Sequence, residues 1–543
     1  KKELVFKKVH EMFKSRFEGL LLNKEGDSQN ILDVPLRVLR GSVLIRYKYP
    51  LADINDKGNK TVAFLGGSGS DYPHSLFADD NLNLHILGTS RSSNYPTSSN
   101  AYDTTFNSSN SFDSDIIVSV ISADGSSLVG STYIGGTDSD GRNTASSNYG
   151  DQYKGEIIAD DAGNSYIASC TSSDNFPVSA NAIQNTFLEN SSFSTGQDGV
   201  LFKLNNDLST LEWSTYLGSS ENDMCFGLRL DENENIYVCG TAGAADFPSV
   251  AGGYQENHDN NYDAFILHIS ADGSNILNST FWGTDSNDWA FFMDIDNEGD
   301  VVIFGQTEGS VPLYPDNVYH QGDKQFILDF EADLSDIKYT TAIAGIGNDL
   351  FNSFGIVPNA FMIDYCGYIY FSGYSAESGL ETTSDAVLND GGFYIGVLEP
   401  NSTGLHYATY YKGDHVDGGT SRFSKKGVIY QAVCSSGGFL TNDDAYATNQ
   451  STSWDIGVVK IDVGTNGANA VPSTLNGQNG CRPFSVDFTN AGSVGATFFW
   501  DFGDGATSTE ETPTHTFTTA GIFDVQLIST KPESCNVQAI SYL

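Results

Sequence analysis

A twelve-residue phrase, GSTYIGGTDSDG (Gly130–Gly141), recurs along the chain, and this repetition constrains the fold more than any other feature of the sequence. Close copies are VAFLGGSGSD, STYLGSSEND and STFWGTDSND, and two degenerate copies are TTAIAGIGND and YATYYKGDHVD. The glycines that anchor the six copies are Gly66, Gly135, Gly218, Gly283, Gly345 and Gly413. Self-similarity at a steady period indicates a repeat architecture in which each unit buries its apolar face against its neighbours.

Two further phrases complete each period. One leads from an acidic or Gly/Asn turn into a β-branched and aromatic strand, as in DENENIYVCGTA, and the other is an alternating strand such as DAFILHISADGS. Each period therefore supplies about four short antiparallel strands, which is the content of one propeller blade. We expect an all-β propeller over residues 41–463 with six blades; seven blades and a laterally stacked solenoid are the alternatives. GSVLIRYKYP (Gly41–Pro50) is an extra copy of the alternating strand, and TVAFLGG would supply the strand that the last period lacks.

The combined pattern STYxGGxxxD … DxxGNxYxxGxTxSxxFP … DxFxxKxxxDGxxL resembles the SBBP-type β-propeller repeat of bacterial extracellular proteins. The resemblance is strong over the first four units and weak over the last two. It implies a secreted or cell-surface location on a Gram-negative bacterium.

A second domain is predicted at the C-terminus. A Gly/Asn/Ser-rich linker (464–480) precedes alternating strands in residues 481–543, which favour a small immunoglobulin-like β-sandwich. WDFGDG (Trp500–Gly505), PTHTF (Pro513–Phe517) and AGIFDVQL resemble the PKD domain in order and spacing. Cys481 and Cys535 bracket this sandwich, and in an exported domain such a pair predicts a disulfide.

The N-terminal region, residues 1–40, has a different character. It opens on KKELVFKKVHEMFKSRFEGLLL, whose apolar residues recur near helical spacing, so we expect a short basic amphipathic helix. Thirteen of the 27 basic residues of the chain lie in the first 60 positions. Such a helix packs on a neighbouring domain or partner protein, or lies on a membrane surface.

Charge excludes one class of partner. The formal net charge is −42, from 69 acidic and 27 basic residues. Because phosphate binding needs clustered lysine and arginine, nucleic acid is not expected as a partner. A protein or glycan partner at the cell surface is expected instead, with membrane association only through a partner or the N-terminal helix.

Acidic turns provide the candidate metal ligands, and calcium is the candidate cofactor. GTDSDG, DIDNEGD and the Gly-Asp-Gly turn of the C-terminal domain place carboxylates close together, which suits a hard cation. The same turns select Asp, Asn and Gly for conformational reasons without any metal. The candidate ligands are Asp138, Asp140, Asp294, Asp296, Asp300, Asp501 and Asp504.

No catalytic residues are predicted from the sequence. The DFG triplet in the C-terminal domain lacks the glycine-rich and catalytic loops of a kinase, and no nucleophile elbow, HExxH or phosphate loop is present. Five cysteines fall in strand-like segments and are expected to be small buried thiols: Cys170, Cys225, Cys239, Cys366 and Cys434.

The pairing of SBBP-like and PKD-like modules implies surface proteins of Bacteroidetes-type bacteria, many of them exported by the type IX system. No C-terminal sorting domain is visible before Leu543. The leading hypothesis is a non-enzymatic binding or scaffold protein that acts in adhesion or gliding. The alternatives are a carbohydrate-active propeller enzyme, and a structural subunit of a surface or secretion assembly docked through its N-terminal helix.

Overall fold

The structure is a computed structural model. It describes residues 42–45, 65–79, 81–108, 110, 113–143, 153–188, 196–259, 261–344, 356–375, 379–413, 421–425, 427–435, 439–441, 455–463, 467–493, 495–532 and 537–543. The predicted N-terminal helix lies outside these residues. Within them there is one 3₁₀ turn, Pro400–Ser402, and no α-helix. No helix in this part of the chain has the length and apolarity needed to span a membrane.

Three consecutive antiparallel four-stranded sheets form the first half of the propeller-like region. In each sheet the strands follow one another in chain order, as the repeat predicts. Sheet 1 contains Asp71–Ala78, Leu84–Ser90, Asp115–Ile121 and Leu128–Ile134. Sheet 2 contains Glu156–Ala159, Ser165–Thr171, Asp198–Leu204 and Leu211–Leu217. Sheet 3 contains Met224–Leu230, Ile236–Ala242, Asp263–Ile269 and Ile276–Trp282.

Three more sheets continue the series. Sheet 4 has a two-residue strand added in parallel to its fourth strand, and sheet 6 has three strands among the described residues. Sheet 4 contains Asp288–Ile295, Val301–Thr307, Gln325–Phe330 and Ile337–Ala344, with Gln321–Gly322 at its edge. Sheet 5 contains Ile356–Ile363, Ile369–Ser375, Phe393–Leu398 and Leu405–Tyr411. Sheet 6 contains Ser421–Ser424, Val428–Ser435 and Asp455–Asp462.

The middle strands of the sheets are buried on both faces. All seven residues of Ile236–Ala242 and of Val301–Thr307 are buried. Short continuous apolar runs of this kind form strands that pack between two neighbouring layers. The largest apolar clusters of the core join adjacent sheets, such as Val238, Phe265 and Leu228 of sheet 3 with Tyr166 and Leu201 of sheet 2.

The opening phrase occupies the position that the repeat predicts. Ser131, Thr132 and Tyr133 end sheet 1, and Asp140 forms an isolated bridge to Thr171 of sheet 2. The strand predicted to close the ring, TVAFLGG, lies partly outside the described residues (61–64), and Leu65–Gly67 are not in a strand. Closure by this segment therefore stays a prediction.

The C-terminal domain is a β-sandwich. One four-stranded sheet contains Thr507–Ser508, Thr497–Asp501, Gln526–Thr530 and Gln538–Tyr542 in spatial order. A three-stranded sheet contains Pro472–Thr474, Phe484–Asn490 and Thr514–Phe517. Trp500 is fully buried in the core together with Phe488, Phe502 and Phe517. The alternating apolar residues of the predicted strands thus face one shared interior.

Two segments lie where the sequence did not predict them. Ser42–Ile45, predicted as an extra propeller strand, instead pairs antiparallel with Asn479–Cys481 and parallel with Gly521–Phe523 of the C-terminal domain. The predicted linker also contributes to that domain, because Ala468 and Ala470 are buried in its core and Pro472–Thr474 is one of its strands. The glycine and asparagine content of this segment reflects turns between short strands.

Candidate functional site

The first strands of successive sheets line a cavity of about 410 Å³, which we call the axial cavity. Its wall comes from the first strands of sheets 1–5, from residues 153–155 beside sheet 2, and from Lys425, which directly follows the first strand of sheet 6. A cavity of this volume is in the range that holds small ligands or part of a larger one.

A β-bulge recurs in the first strands and supplies residues to the cavity wall. The pairing register shifts by one residue in the first strands of sheets 1, 3, 4 and 5. A bulge of this type leaves one residue without a ladder partner and changes the direction of its side chain. The four bulge residues all line the axial cavity: His74, Phe226, Phe291 and Asn359.

A glycine on the second strand permits each bulge. Gly240 faces Cys225 and Gly305 faces Ala290, and a Cβ atom at either glycine would overlap a backbone carbonyl oxygen of the bulged strand. Gly88 and Gly373 have the same relation to the bulges of sheets 1 and 5. In sheet 2 Ser169 stands in place of the glycine, and the pairing of the first two strands ends one residue before it, at Glu156 and Ala168.

An ion-pair network joins four sheets at the cavity wall. The guanidinium of Arg229 donates to Glu156 Oε1 at 2.7 Å and to Asp294 Oδ1 at 3.1 Å. The ammonium of Lys425 lies 2.6 Å from Asp294 Oδ2. Burial alone would raise the pKa of Asp294, but the charges of Lys425 and Arg229 outweigh it and hold that pKa below its ordinary value. Asp294 is therefore an ionised anchor of the network and not a proton donor.

Aromatic rings and a further cation line the same cavity. The ammonium of Lys154 donates to the Pro358 carbonyl at 2.9 Å and lies 4.6 Å from the ring centre of Phe291 and 5.2 Å from that of Phe292. Cation–π contacts of this kind hold a charge beside an apolar surface. The axial cavity thus offers ring faces and positive charge side by side.

His74 is the buried imidazole of the cavity. Its Nε2 lies 3.3 Å from Thr89 Oγ1, and its Nδ1 has no hydrogen-bond partner among the described residues. Burial lowers the pKa of His74 to about 3, so the ring is neutral at physiological pH. A neutral imidazole can donate a hydrogen bond to a ligand or accept one from it.

The charges of the cavity wall differ in sign from those of the whole chain. Three basic side chains, Lys154, Arg229 and Lys425, accompany two carboxylates, Glu156 and Asp294. The chain as a whole carries 69 acidic and 27 basic residues. The axial cavity is therefore a local site of net positive charge in a strongly acidic protein.

Asp140 acts as a clamp for its own turn. Its Oδ2 accepts hydrogen bonds from the Gly136 N–H at 2.8 Å and the Ser173 hydroxyl at 3.2 Å, while Thr171 donates to Oδ1. Burial raises the pKa of Asp140 well above its usual range. Burial also raises the pKa of Asp138, whose own backbone N–H donates to Ser173. Both oxygens of Asp140 have protein donors, which favours the turn interpretation here.

The same clamp recurs at the start of sheets 1, 3 and 4. Each of these aspartates lies five residues after the anchoring glycine and accepts the N–H of the residue that follows that glycine, at 2.5–2.8 Å. We call the four residues the junction aspartates: Asp71, Asp140, Asp223 and Asp288. The recurring acidic phrase is thus explained by architecture.

The candidates in DIDNEGD separate in the structure. Asp294 faces the axial cavity, whereas Asp296 and Asp300 lie in the turn that follows the strand. Asp296 and Asp300 meet Asp329 of the third strand, and carboxylate oxygens of these three residues lie within 4.8 Å of one another. Among the described residues this is the one group of three or more His, Cys, Asp or Glu side chains that could hold a metal ion.

The two candidates of the C-terminal domain are engaged in a turn. Asp501 accepts the N–H of Gly503 at 2.9 Å, and Asp504 accepts the N–H of Ala506 at 3.0 Å. His515 lies 2.8 Å from the other oxygen of Asp504 and stacks on Phe502. These contacts favour a turn stabilised by side-chain hydrogen bonds.

The cysteines follow the sequence prediction in part. Cys170, Cys225 and Cys239 are buried free thiols, as expected. Cys366 was expected to be one too, but it lies in the turn after Ile356–Ile363 and is disulfide-bonded. The side chain of Cys434 is outside the described part of the chain. Cys481 is exposed and free, which does not agree with the predicted Cys481–Cys535 disulfide; Cys535 itself lies outside the described residues.

The sequence alone did not predict several side chains of the axial cavity and of the acidic cluster. Arg229, Lys154 and Lys425 come from three different sheets, so no local motif connects them. Asp329 could have been found by aligning the third strands, since it stands where Lys203 and His268 stand in sheets 2 and 3. The glycine inside the second phrase was an available signal for the bulge.

Family comparisons identify two modules. Residues 212–248 match the SBBP β-propeller repeat, and residues 468–541 match the PKD domain. The chain thus carries an SBBP repeat and a C-terminal PKD domain, as the resemblances implied. No curated protein matches the chain.

Solved structures with a related arrangement of strands are distant. BamB from Moraxella catarrhalis has 10% identity over 88% of this chain and 99% of that chain, with a TM-score of 0.31. The β-propeller domain of the Trilobed protease from Pyrococcus furiosus has 7% identity over 82% of this chain and 96% of that chain, with a TM-score of 0.32. At these values neither likeness supports an inference about ligand or activity.

Proposed function

We propose that this chain is a non-enzymatic binding and scaffold protein of the bacterial cell surface, and that its axial cavity receives an anionic segment of a surface glycan. The observation that carries the proposal is the set of three basic side chains in the cavity wall of a protein with net charge −42. With two carboxylates beside these three cations the wall keeps an excess of one positive charge, and an excess of one sign in a cleft attracts ligands of the opposite sign.

The wall also suits a sugar ring. Phe226, Phe291 and Phe361 form the apolar part of the wall next to Lys154 and Arg229. Binding sites of this kind combine apolar surface with a few polar groups that fix orientation. An acidic sugar presents both an apolar ring face and a carboxylate or sulfate, so it complements both parts of the wall.

The arrangement of charges supports binding over catalysis. A glycosidase needs one carboxyl group with a raised pKa as proton donor and a second carboxylate nearby. In this cavity Arg229 bonds both Glu156 and Asp294, and the pKa of Asp294 is lowered. Both carboxylates therefore serve as partners of the guanidinium.

The module composition supports a cell-surface location. SBBP repeats and PKD domains resemble parts of long exported proteins, and we propose export by a type IX-like system to the outer surface of a Gram-negative bacterium. In this proposal the propeller-like region provides the rigid binding face for adhesion or gliding, and the PKD domain is a spacer.

A glycan array with the intact chain tests the proposal. We expect binding to acidic oligosaccharides in preference to their neutral counterparts. Leu76 lines the cavity and is 40% exposed, so Leu76→Trp fills the cavity without removing a buried contact and should weaken binding at least tenfold. Leu277→Trp is the matched control, because Leu277 is 43% exposed and lies outside the cavity wall.

Three outcomes would contradict this assignment. Equal binding of neutral and acidic glycans would remove the role of the positive wall. Equal weakening by Leu76→Trp and Leu277→Trp would place the ligand elsewhere. Release of shorter oligosaccharides from a bound glycan would make the chain a carbohydrate-active enzyme instead.

A further inference from the structure

The turn between the first and second strands has the same framework in neighbouring sheets. In sheet 3, Asp231 Oδ1 accepts the N–H groups of Asn233 and Asn235, each at 2.8 Å. In sheet 4, Asp296 Oδ1 accepts the N–H groups of Glu298 at 2.8 Å and Asp300 at 3.0 Å. One carboxylate oxygen of the turn aspartate therefore holds the turn, and the other oxygen is available for a side-chain partner.

In sheets 2 and 3 the second carboxylate oxygen of the turn aspartate has two side-chain partners, an asparagine amide and a basic residue. In sheet 2, Asn164 donates to Asp160 Oδ2 at 2.9 Å, and the ammonium of Lys203 lies 3.2 Å from the same oxygen. In sheet 3, Asn235 donates to Asp231 Oδ2 at 2.9 Å and His268 Nε2 lies 3.2 Å from it. Lys203 and His268 occupy the same register position, opposite the second residue of the second strand.

Sheet 4 replaces both partners with carboxylates. Asp300 stands at the position of Asn235, and Asp329, opposite Val302, stands at the position of His268. Two hydrogen-bond donors of the repeat are thus exchanged for two acceptors, and the turn aspartate faces two further negative groups within 4.8 Å.

Asp329 is the group that most needs a partner. It is 1% exposed, and its Oδ1 makes no hydrogen bond to any described residue. A buried carboxylate without a compensating partner costs several kcal/mol. Burial and the neighbouring carboxylates raise the pKa of Asp329 to about 8.

The nearby cation compensates only part of this charge. The ammonium of Lys338 contacts Asp300 Oδ2 and lies 2.7 Å from Glu298 Oε2. Lys338 is on the fourth strand, beside Tyr339, which pairs with Asp329. One ammonium thus serves a group of carboxylates in which Asp296 Oδ2 and Asp329 Oδ1 receive no donor from the described residues.

We propose that Asp296, Asp300 and Asp329 bind one calcium ion at the hairpin turn of sheet 4. Carboxylate oxygens that converge from a turn and an adjacent strand suit a hard divalent cation, and water completes its shell. Lys338 competes with the ion for Asp300. This site is separate from the axial cavity and does not depend on the glycan assignment.

Titration of the intact, chelator-treated chain with calcium chloride tests the site, using calorimetry and equilibrium dialysis. We expect a dissociation constant of about 10⁻⁴–10⁻³ M, as in other extracellular modules. The double variant Asp300→Asn/Asp329→His restores the side chains of sheet 3 and should lose one bound calcium ion per chain. Lys338→Met should bind calcium at least about threefold more tightly, because the competing ammonium is gone.

The control is Asp333→Asn. This exposed residue lies in the next turn of the same sheet and accepts local hydrogen bonds from Ser335, so the variant removes one negative charge nearby without changing the cluster. It should bind calcium as the wild type does. The proposal is overturned if the wild type binds no calcium at 5 mM, roughly the upper limit for such modules. It is overturned equally if the double variant retains the wild-type stoichiometry, or if Asp333→Asn weakens binding as much as the double variant does.

Discussion

Sheets 3 and 4 are built on one plan and differ at one end. Both have a junction aspartate at the start of the first strand, a β-bulge in that strand and a glycine opposite the bulge. The two sheets differ in the side chains at the hairpin turn. Asp231 has Asn235 and His268 as hydrogen-bond partners, whereas Asp296 lies beside Asp300 and Asp329. Two substitutions on an unchanged backbone convert a neutralised turn into an acidic cluster.

The comparison distinguishes residues that hold the backbone of both sheets from residues that set the charge of one site. Residues that recur in both sheets hold the backbone, because each one satisfies a main-chain group or avoids a clash with one. Residues that differ between the sheets change the charge of one local site and leave the strand pairing intact. Variants in the shared and in the divergent positions should therefore have different consequences.

The largest effect is expected at the bulge glycines. Gly240→Ala and Gly305→Ala would each place a Cβ atom against a backbone carbonyl oxygen, of Met224 and Trp289 respectively. We expect each to lower the free energy of unfolding by roughly 3 kcal/mol, the upper end of overpacking costs, because the backbone must move. Chemical denaturation of the two variants measures this.

Ser169→Ala is the control for the glycine variants. Ser169 occupies the same position in sheet 2, where a side chain is already accommodated, and its hydroxyl has no partner among the described residues. Its stability should stay within about 0.5 kcal/mol of the wild type. A Gly240→Ala variant as stable as Ser169→Ala would show that the glycine does not serve the bulge.

A somewhat smaller effect is expected when the acidic cluster is moved to sheet 3. Asn235→Asp/His268→Asp creates three carboxylates around the turn, and Leu277 stands there where sheet 4 has Lys338, so no ammonium offsets them. We expect a loss of roughly 2 kcal/mol in the presence of a chelator, from unpaired and partly buried charge. Calcium at millimolar concentration should restore part of the loss, as measured by thermal melting.

Asn275→Asp adds negative charge at an exposed turn of the same sheet and serves as the comparison. Its melting temperature should be nearly unchanged with and without calcium. If the transplanted double variant is also unaffected by chelator and by calcium, the two substituted positions do not determine the difference between sheets 3 and 4.

Much of this plan could be predicted from the sequence. The recurring STYxGG phrase predicts the end of one sheet and the start of the next, and Asp140 lies at that junction. The alternating WDF and FDV segments predict the C-terminal sandwich around Trp500. These features are local, because strand periodicity and turn chemistry depend on residues close together in the chain.

The sites were harder to predict because they join residues far apart in the chain. Arg229 meets Glu156 and Asp294, which lie 73 and 65 residues away. Asp294 was grouped with Asp296 and Asp300 by spacing, but Asp294 lies in the strand, where it bonds Arg229, whereas Asp296 and Asp300 lie in the turn that follows. Ser42–Ile45 shows the same limit, since its sequence does not specify which strands it pairs with on either side.

Sheets 3 and 4 also share a buried carboxyl at the junction that starts each sheet, Asp223 and Asp288. Burial raises the pKa values of the junction carboxyls Asp223 and Asp288 to about 7. A raised folded-state pKa means that the folded protein holds protons that the unfolded chain releases near pH 4. The stability contributed by these protons is fully present below about pH 4 and is lost as the pH rises through about 7.

Both junctions should therefore give the same response to pH. The melting temperature should fall between pH 5 and pH 8, and Asp223→Asn and Asp288→Asn should each flatten this slope, since an amide does not ionise. Asp223 accepts an N–H on each oxygen, so Asp223→Asn also loses one acceptor and should be less stable at every pH. Each unit of pKa difference corresponds to about 1.4 kcal/mol, so even a partial shift is measurable. Carboxyls with lowered pKa values, such as Asp160 and Asp231, destabilise the fold only when more acidic solution protonates them. They therefore do not contribute to the slope between pH 5 and pH 8. If Asp288→Asn alone flattened the slope, the junctions would not be equivalent, and the difference between sheets 3 and 4 would extend beyond the hairpin turn into their common framework.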